Sequence, residues 1–307
     1  MRHMNAMRSG RRGFTLVELL VVMAIIAILV SMTAAGVFSL RTSQAKARTE
    51  TDMKKIASAL DQQWTAALVK AANDPLPSTP DIQALADNDP RRARVIYTKL
   101  YLMQEFPQSV AEAASNPRYA NEFIVPGSSP TAYYTQPPTP AEQAEQAERQ
   151  SAACIYLALS TSRGGVTFNP EDIGSTALGT IELANPNNPA QVKKFKVFLD
   201  AWRKPITFVR WAPTNALQGE LDNPQFGYVT PSAFNNTPPR LDRQDIEGTL
   251  LNWTTPNATN VANALGYQLT PAHNLIPYLV SAGPDKRYWT EEDIVSFRLR
   301  KQGQRGD

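Results

Sequence analysis

The chain has 307 residues and a formal net charge of +3 at pH 7, with one cysteine and two histidines. The single cysteine, Cys154, excludes an intrachain disulfide and a cysteine-based zinc cluster. Removing the four arginines that precede Gly13 leaves 27 basic against 28 acidic residues, a balance that argues against a nucleic-acid partner. His3 also precedes Gly13, so histidine-dependent catalysis would rest on His273 alone.

The first predicted element is a helix long and apolar enough to cross a membrane. No charged residue occurs from Leu19 to Phe38, and 20 helical residues extend over about 30 Å, roughly the thickness of the hydrocarbon core. Glu18 stands at the start of this segment. A secretory signal would have a shorter apolar core, and a plain signal anchor gives no reason for a carboxylate at that position.

Apolar residues recur beyond the span at spacings of three and four, which predicts one apolar face of a continuing helix. These residues are Met53, Ile56, Leu60, Trp64 and Leu68. The first following proline, Pro75, places the helix end near Asn73. One continuous helix and a membrane helix followed by a second one, with a bend at Gly36, both fit the pattern.

Residues 74–198 are predicted to form a helical and loop-rich insertion. The stretch RRARVIYTKLYLMQEF, residues 91–106, has the pattern of a helix. A second helix is expected from Pro140 to about Ser160, because Thr-Pro-Ala-Glu combines an N-cap, a first-turn proline and a capping acid.

Strand patterns concentrate in residues 199–300, for which we predict an antiparallel sheet. KPITFVRW predicts a strand from Ile206 to Trp211, and NLIPYLVSAG predicts another that ends near Ser281. The alternation in DIVSFRLR, residues 293–300, is typical of a half-buried final strand. Residues 301–307 form a short tail.

The stretch RRGFTLVELLVVMAIIAIL resembles the leader of type IV pilins and of the pseudopilins of type II secretion systems. The resemblance implies that residues 1–13 are a leader, which prepilin peptidase removes by cleavage between Gly13 and Phe14. Phe14 then becomes an N-methylated N-terminus, and Glu18 becomes the fifth residue of the processed chain. In a filament, Glu18 can pair with the Phe14 amine of a neighbouring subunit, which removes a large desolvation cost from both charges.

Two stretches within residues 199–300 resemble the major pseudopilins in particular. LDAWRKPITF is similar to an Asp-x-Trp-Gly-x-Pro motif, with Arg203 in place of the glycine. LVSAGPDKRYWTEEDI is similar to a C-terminal calcium-binding loop, with Lys286 where a glycine is usual. The resemblance implies a calcium ion, a cation that takes six to eight oxygen ligands. The implied ligands are Asp285 and Asp293, with the carbonyls of Leu279 and Ser281.

The sequence therefore predicts an α+β, pilin-like fold, in which a long N-terminal helix of residues 14–73 packs on a small antiparallel sheet. The span covers about residues 16–38. The expected function is that of a non-enzymatic subunit of a type II secretion pseudopilus. It would be anchored once in the inner membrane, with its N-terminus cytoplasmic and its head periplasmic.

The partners that the resemblance implies are prepilin peptidase, an inner-membrane assembly platform, and other pseudopilins including copies of the chain itself. The alternatives are a type IV pilin, a minor pseudopilin at a filament tip, or a membrane-anchored binding protein or hydrolase that uses a pilin-like leader. Glu18 distinguishes the last alternative from the others, because an anchored free domain would not need it.

Overall fold

The computed structural model describes residues 16–77, 80–119, 122, 140–185, 188–211, 242, 244–250, 253–265 and 276–299. The chain divides into two compact units, Met1–Ala45 and Lys46–Asp307. The second of these is called the head unit below.

A single helix, α1, runs from Leu16 to Asn73 over 58 residues. It continues through Gly36, so the alternative of two separate helices is wrong, and it ends at the predicted residue, shortly before Pro75. Its first 18 residues, Leu16–Thr33, have a mean hydropathy of 2.7, and none of them is buried within the structure. By length and composition this part of α1 is fit to cross a membrane.

The part of α1 that belongs to the head unit has the predicted apolar face. Met53, Ile56, Leu60 and Trp64 are buried, and Leu68 is partly buried against the same core. Burial of this face, rather than helix propensity alone, stabilises a helix of this kind.

Four further helices precede the first strand among the described residues: α2 (Pro80–Leu85), α3 (Pro90–Glu105), α4 (Val110–Ser115) and α5 (Pro140–Ser160). The predictions of α3 and α5 are confirmed. Asp89 caps α3 by accepting hydrogen bonds from the amides of Arg91 and Arg92, while Pro90 occupies the first helical position, where no amide donor is required.

The insertion also contains a β-hairpin, which the sequence analysis did not predict. Strand β1 (Leu178–Asn185) pairs antiparallel with β2 (Asn188–Phe198). The signal was present, because buried Ile181 and Leu183 alternate with exposed Thr180 and Glu182. Two short 3₁₀ turns, Pro170–Ile173 and Ser175–Ala177, precede the hairpin.

The second sheet has three antiparallel strands in chain order, β3 (Thr207–Val209), β4 (Tyr278–Ser281) and β5 (Ile294–Val295). Helix α6 (Pro256–Leu265) lies between β3 and β4 along the chain. The two predicted strands at residues 206–211 and before Ser281 are confirmed as β3 and β4, the former in a shorter version.

The prediction of a long final strand over residues 293–300 is wrong. Strand β5 has two residues, and the chain then forms a helical turn, α7, over Ser296–Leu299. Continued register would place Ser296 opposite Leu279. Instead, the Ser296 hydroxyl accepts a hydrogen bond from the Leu279 amide at 2.9 Å. The Leu279 amide therefore donates to a side-chain hydroxyl, whereas in a longer strand it would donate to a backbone carbonyl.

The largest hydrophobic cluster of the head unit combines residues of α1, α3, α5 and the three-stranded sheet. A smaller cluster lies between α4, α5 and the β1–β2 hairpin. With its apolar N-terminal helix, further helices and small antiparallel sheets, the fold is α+β and pilin-like, as the sequence predicted.

Candidate functional site

The residues of the predicted processing site fall at the very start of the chain. Gly13 and Phe14 lie outside the described residues. Glu18 lies in the first turn of α1, where its side chain is exposed. It is the one acidic residue between Phe14 and Glu50. A carboxylate at the helix N-terminus interacts favourably with the helix dipole, but that effect is small beside the cost of placing it in hydrocarbon.

In the head unit, the Asp-x-Trp stretch forms the turn that connects β2 to β3. The Asp200 amide donates to the Lys204 carbonyl at 2.9 Å, which closes the turn. Oδ1 of Asp200 accepts from the amides of Trp202 at 3.0 Å and Lys204 at 2.8 Å. Arg203 adopts a left-handed backbone with φ of 68°, a conformation that glycine adopts at lower cost. Arginine therefore occupies a glycine-like position in a turn that the Asp200 hydrogen bonds close.

Asp200 also joins this turn to the Ser-Ala-Gly turn that follows β4. Its Oδ2 accepts a hydrogen bond from the Ser281 hydroxyl at 2.8 Å, and Ser281 in turn accepts from the Gly283 amide. Burial raises the pKa of Asp200, although its hydrogen bonds act in the opposite direction. The two head motifs thus meet at one point, which we call the motif junction (Asp200, Ser281 and Gly283).

The turn after the motif junction is closed by Asp293. Its carboxylate accepts from the Trp289 amide at 2.7 Å and from the Thr290 hydroxyl at 3.4 Å. Burial raises the pKa of Asp293 to about 6. Gly283 has φ of +66°, and a Cβ there would meet the carbonyl of Glu292 well inside van der Waals contact. Glycine is therefore required at this position for two separate reasons.

A further set of contacts holds the aromatic residues of this turn. The Tyr288 hydroxyl donates to the Pro205 carbonyl, and Trp289 Nε1 donates to Glu148 of α5 at 3.0 Å. Burial raises the pKa of Glu148 to about 7; the charges of Glu145 and Asp293 add to this rise, while the Trp289 hydrogen bond and Lys204 oppose it. These contacts therefore connect three parts of the head unit: the turn before β3, the turn after β4 and helix α5.

The two carboxylates among the four implied calcium ligands already have protein partners. The Asp293 carboxylate binds its own turn, and exposed Asp285 accepts from the Arg287 amide at 3.0 Å. The implied ligand at Ser281 is its carbonyl, whereas the Ser281 hydroxyl donates to Asp200. Among the residues that the structure describes, no group of three or more His, Cys, Asp or Glu side chains is arranged to hold a metal ion. Calcium binding through Asp285, Asp293 and nearby carbonyls stays a prediction.

The head unit also contains buried charges that the sequence pattern does not predict. Arg163 Nε pairs with Glu105 at 2.7 Å, and its guanidinium also bonds Gln63 of α1 and Tyr119. A second buried pair joins Lys99 of α3 to Asp242. Because buried charges are retained only when paired, these contacts tie distant segments into the head. The sequence gives no sign of them, since the partners are far apart along the chain.

Comparison with known families finds one match. The prokaryotic N-terminal methylation motif matches residues 8–34, which include Gly13, Phe14 and Glu18. The chain therefore has a type IV pilin-like prepilin leader. No curated protein and no solved structure matches this chain.

The leader identifies the chain as a substrate of the prepilin-peptidase type and indicates filament assembly. Together with the apolar first part of α1, it describes a prepilin-like protein with one N-terminal membrane anchor.

Proposed function

We propose that the chain is a structural, non-enzymatic subunit of a type II secretion pseudopilus. Prepilin peptidase would cut it between Gly13 and Phe14 and methylate the new N-terminus, after which the subunit would enter a filament based in the inner membrane. The observation that carries the proposal is the methylation motif at residues 8–34, which overlaps the start of an uninterrupted 58-residue helix.

In this proposal Glu18 directs assembly by electrostatics. Cleavage creates a cationic amine at Phe14, four residues before Glu18 and near the same edge of the apolar segment. Each charge alone is costly at the membrane, so pairing between neighbouring subunits removes a penalty from both and selects one axial register. A subunit without the carboxylate would keep its anchor but would lose this register.

The motif junction supports the pseudopilin assignment over other pilin-like proteins. The two stretches that resemble major pseudopilins are 81 residues apart between Asp200 and Ser281, and a buried hydrogen bond of 2.8 Å joins them. Two sequence resemblances that are also joined in space form a more specific signature than either alone.

The first experiment is the intact mass of the protein extracted from the membrane of its native host. Processing is shown by loss of Met1–Gly13 together with the gain of one methyl group on Phe14. A strain that lacks prepilin peptidase provides the control, since the full chain should then persist. A chain that keeps its leader in the presence of active peptidase would overturn the proposal.

A second experiment separates a filament subunit from an anchored free domain. Glu18→Ala should abolish filament formation, measured by cysteine cross-linking between subunits in the membrane, while the amount of membrane-bound protein is unchanged. Glu50→Ala, which removes the next acid of the same helix, is the matched control and should leave assembly intact. Normal assembly by the Glu18→Ala protein would favour the binding protein or hydrolase instead.

A third experiment distinguishes a pseudopilin from a type IV pilin. Deletion of the chain should stop secretion through the type II system, whereas a type IV pilin would affect surface fibres. If fibres disappear and secretion persists, the pseudopilin assignment is wrong while the prepilin leader remains.

A further inference from the structure

A cavity of about 740 Å³ lies beside the motif junction, at the meeting point of α5, the β2–β3 turn and the turn before β5. Five basic side chains line it: Arg149, Arg203, Lys204, Lys286 and Arg287. Two acids, Glu145 and Glu148, also line it, so the lining keeps a net charge of +3 with both acids ionised. The volume is far larger than a single small ion requires.

These five cations differ from the ion-paired cations of the head unit in their partners. The ion pairs found among the described residues include none of the five. Among the described residues, Arg149 and Arg203 donate hydrogen bonds to two backbone carbonyls, those of Glu182 and Thr176. The side chains of Arg203, Lys286 and Arg287 are exposed. Their charges are therefore available to an external partner.

The backbone around the cavity is held in an uncommon conformation. Five non-glycine residues have positive φ among those described, and three of them line this cavity: Arg203 at 68°, Lys286 at 60° and Trp289 at 69°. Left-handed backbone is unfavourable for such side chains, and it concentrates at functional sites because the surrounding structure has to maintain it. Two of the three positions present a cation to the cavity.

The remaining lining is suited to a protein segment. Trp289 is 49% exposed, Tyr288 and Pro205 are half-buried, and the buried Ile181 completes the apolar lining. Tryptophan and arginine are enriched among the residues that dominate protein–protein binding energy. A peptide can place its separate carboxylates at the basic side chains and an apolar side chain against Trp289, whereas a polyphosphate would offer nothing to the aromatic part of the lining.

We propose that this cavity binds an acidic segment of a partner protein, one that presents several carboxylates together with an aromatic or aliphatic side chain. The inference rests on the proposed function, since a filament subunit works through contacts with other proteins. It adds a chemical description of a partner that the leader motif does not specify. Opposite charge would steer the partner to the cavity, and the apolar contacts would retain it.

The test uses the full processed chain in detergent micelles and a fluorescein-labelled peptide, Glu-Glu-Asp-Leu-Glu-Glu-Phe-Asp-Glu-Glu. Fluorescence anisotropy should show saturable binding at low salt that weakens as salt screens the charges. A peptide with Gln and Asn in place of every acid should not bind. Equal binding of both peptides would overturn the proposal.

The variant protein Arg203→Gly/Lys286→Gly tests the site itself. Glycine removes both cations and also accepts the left-handed backbone, so the fold should be kept and the thermal midpoint should not fall. We expect affinity for the acidic peptide to fall about tenfold or more. The control Lys54→Gln/Lys55→Gln removes two exposed cations from α1 and should bind normally. Unchanged binding by the glycine variant would refute the proposal.

Two further outcomes would also overturn it. Full displacement of the peptide by free glutamate at the same carboxylate concentration would indicate an adventitious ion only. Self-association that the glycine variant abolishes, seen by sedimentation, would identify a second copy as the occupant. Intact mass of the same preparation establishes processing at Phe14, so absent binding by a processed chain would contradict the cavity inference alone.

Discussion

The strongest structural prediction concerns Asp200, which organises the motif junction. Asp200→Ala removes the acceptor for the Trp202 amide, the Lys204 amide and the Ser281 hydroxyl, at 3.0, 2.8 and 2.8 Å. Asp200 is 2% exposed and Ser281 is fully buried, so water cannot readily replace the carboxylate at the hydroxyl.

The magnitude follows from these three bonds. A hydrogen bond to a charged group contributes about 1.5–3 kcal/mol, which gives a gross loss of about 4.5–9 kcal/mol. The burial that raises the pKa of Asp200 shows that the carboxylate is itself costly to bury, and this cost is recovered on substitution. The two turn amides are only part-buried and can bind water. We therefore expect Asp200→Ala to lower the free energy of unfolding by about 3 kcal/mol.

The assay is urea unfolding of the full chain in a non-ionic detergent, followed by tryptophan fluorescence. All five tryptophans lie in the head unit, so the signal reports on that unit. The matched control is Asp285→Ala: Asp285 is exposed and likewise accepts from the amide two residues later, at 3.0 Å, and its loss should cost less than about 1 kcal/mol. If Asp200→Ala and Asp285→Ala are equally stable, the motif junction does not organise the head.

Three further predictions concern stability of the head unit and use the same unfolding assay. Because burial raises the folded-state pKa of Glu148 to about 7, the folded state binds more protons than the unfolded state between about pH 4.5 and 7. Stability should therefore fall as pH rises through that window, and Glu148→Gln should reduce this slope without abolishing it, because burial also raises the pKa of Asp293 to about 6; an unchanged slope would show that another group is responsible. Gly283→Ala should cost about 2 kcal/mol or more, because both its left-handed backbone and the opposite carbonyl exclude a Cβ. Gly165→Ala has a similar φ but open space and should cost only about 1 kcal/mol, so equal losses would contradict the steric argument. Arg163→Met should destabilise by about 3 kcal/mol, the lower end of the range for breaking a buried ion pair, because among the described residues buried Glu105 then keeps only the partly exposed Arg118 as an ion-pair partner; adding Glu105→Gln should recover part of the loss. No recovery in the double variant would argue against charge burial as the cause.

Much of the fold follows from residues that are close together in the sequence. The extent of α1 follows from three such features: the apolar run from Leu19, the apolar residues spaced three and four apart from Met53 onward, and the first later proline, Pro75. Helices α3 and α5 follow from their own caps and periodicity. The helical features are local, because helix hydrogen bonds join residues four apart. The leader motif is local as well, because it is a continuous stretch of the sequence.

The strands were less predictable, for a reason visible at Ser296. The alternation after Asp293 suits a strand, but β5 ends once the Ser296 hydroxyl takes the Leu279 amide, a contact across 17 residues. The β1–β2 hairpin was overlooked although Ile181 and Leu183 alternate with polar neighbours. Strand pairing depends on the partner as much as on the segment, so pattern alone decides it poorly.

The candidate site also combines features that the sequence predicts with contacts that only the structure shows. The sequence by itself determined the leader, the position of Glu18 and the two head motifs. Only the tertiary structure joined Asp200 to Ser281, closed the turn on Asp293, and brought Arg149 of α5 to the same cavity as Lys286. Contacts between residues tens of positions apart depend on how the core packs. A hydrogen bond that this packing buries produces no periodic pattern in the sequence.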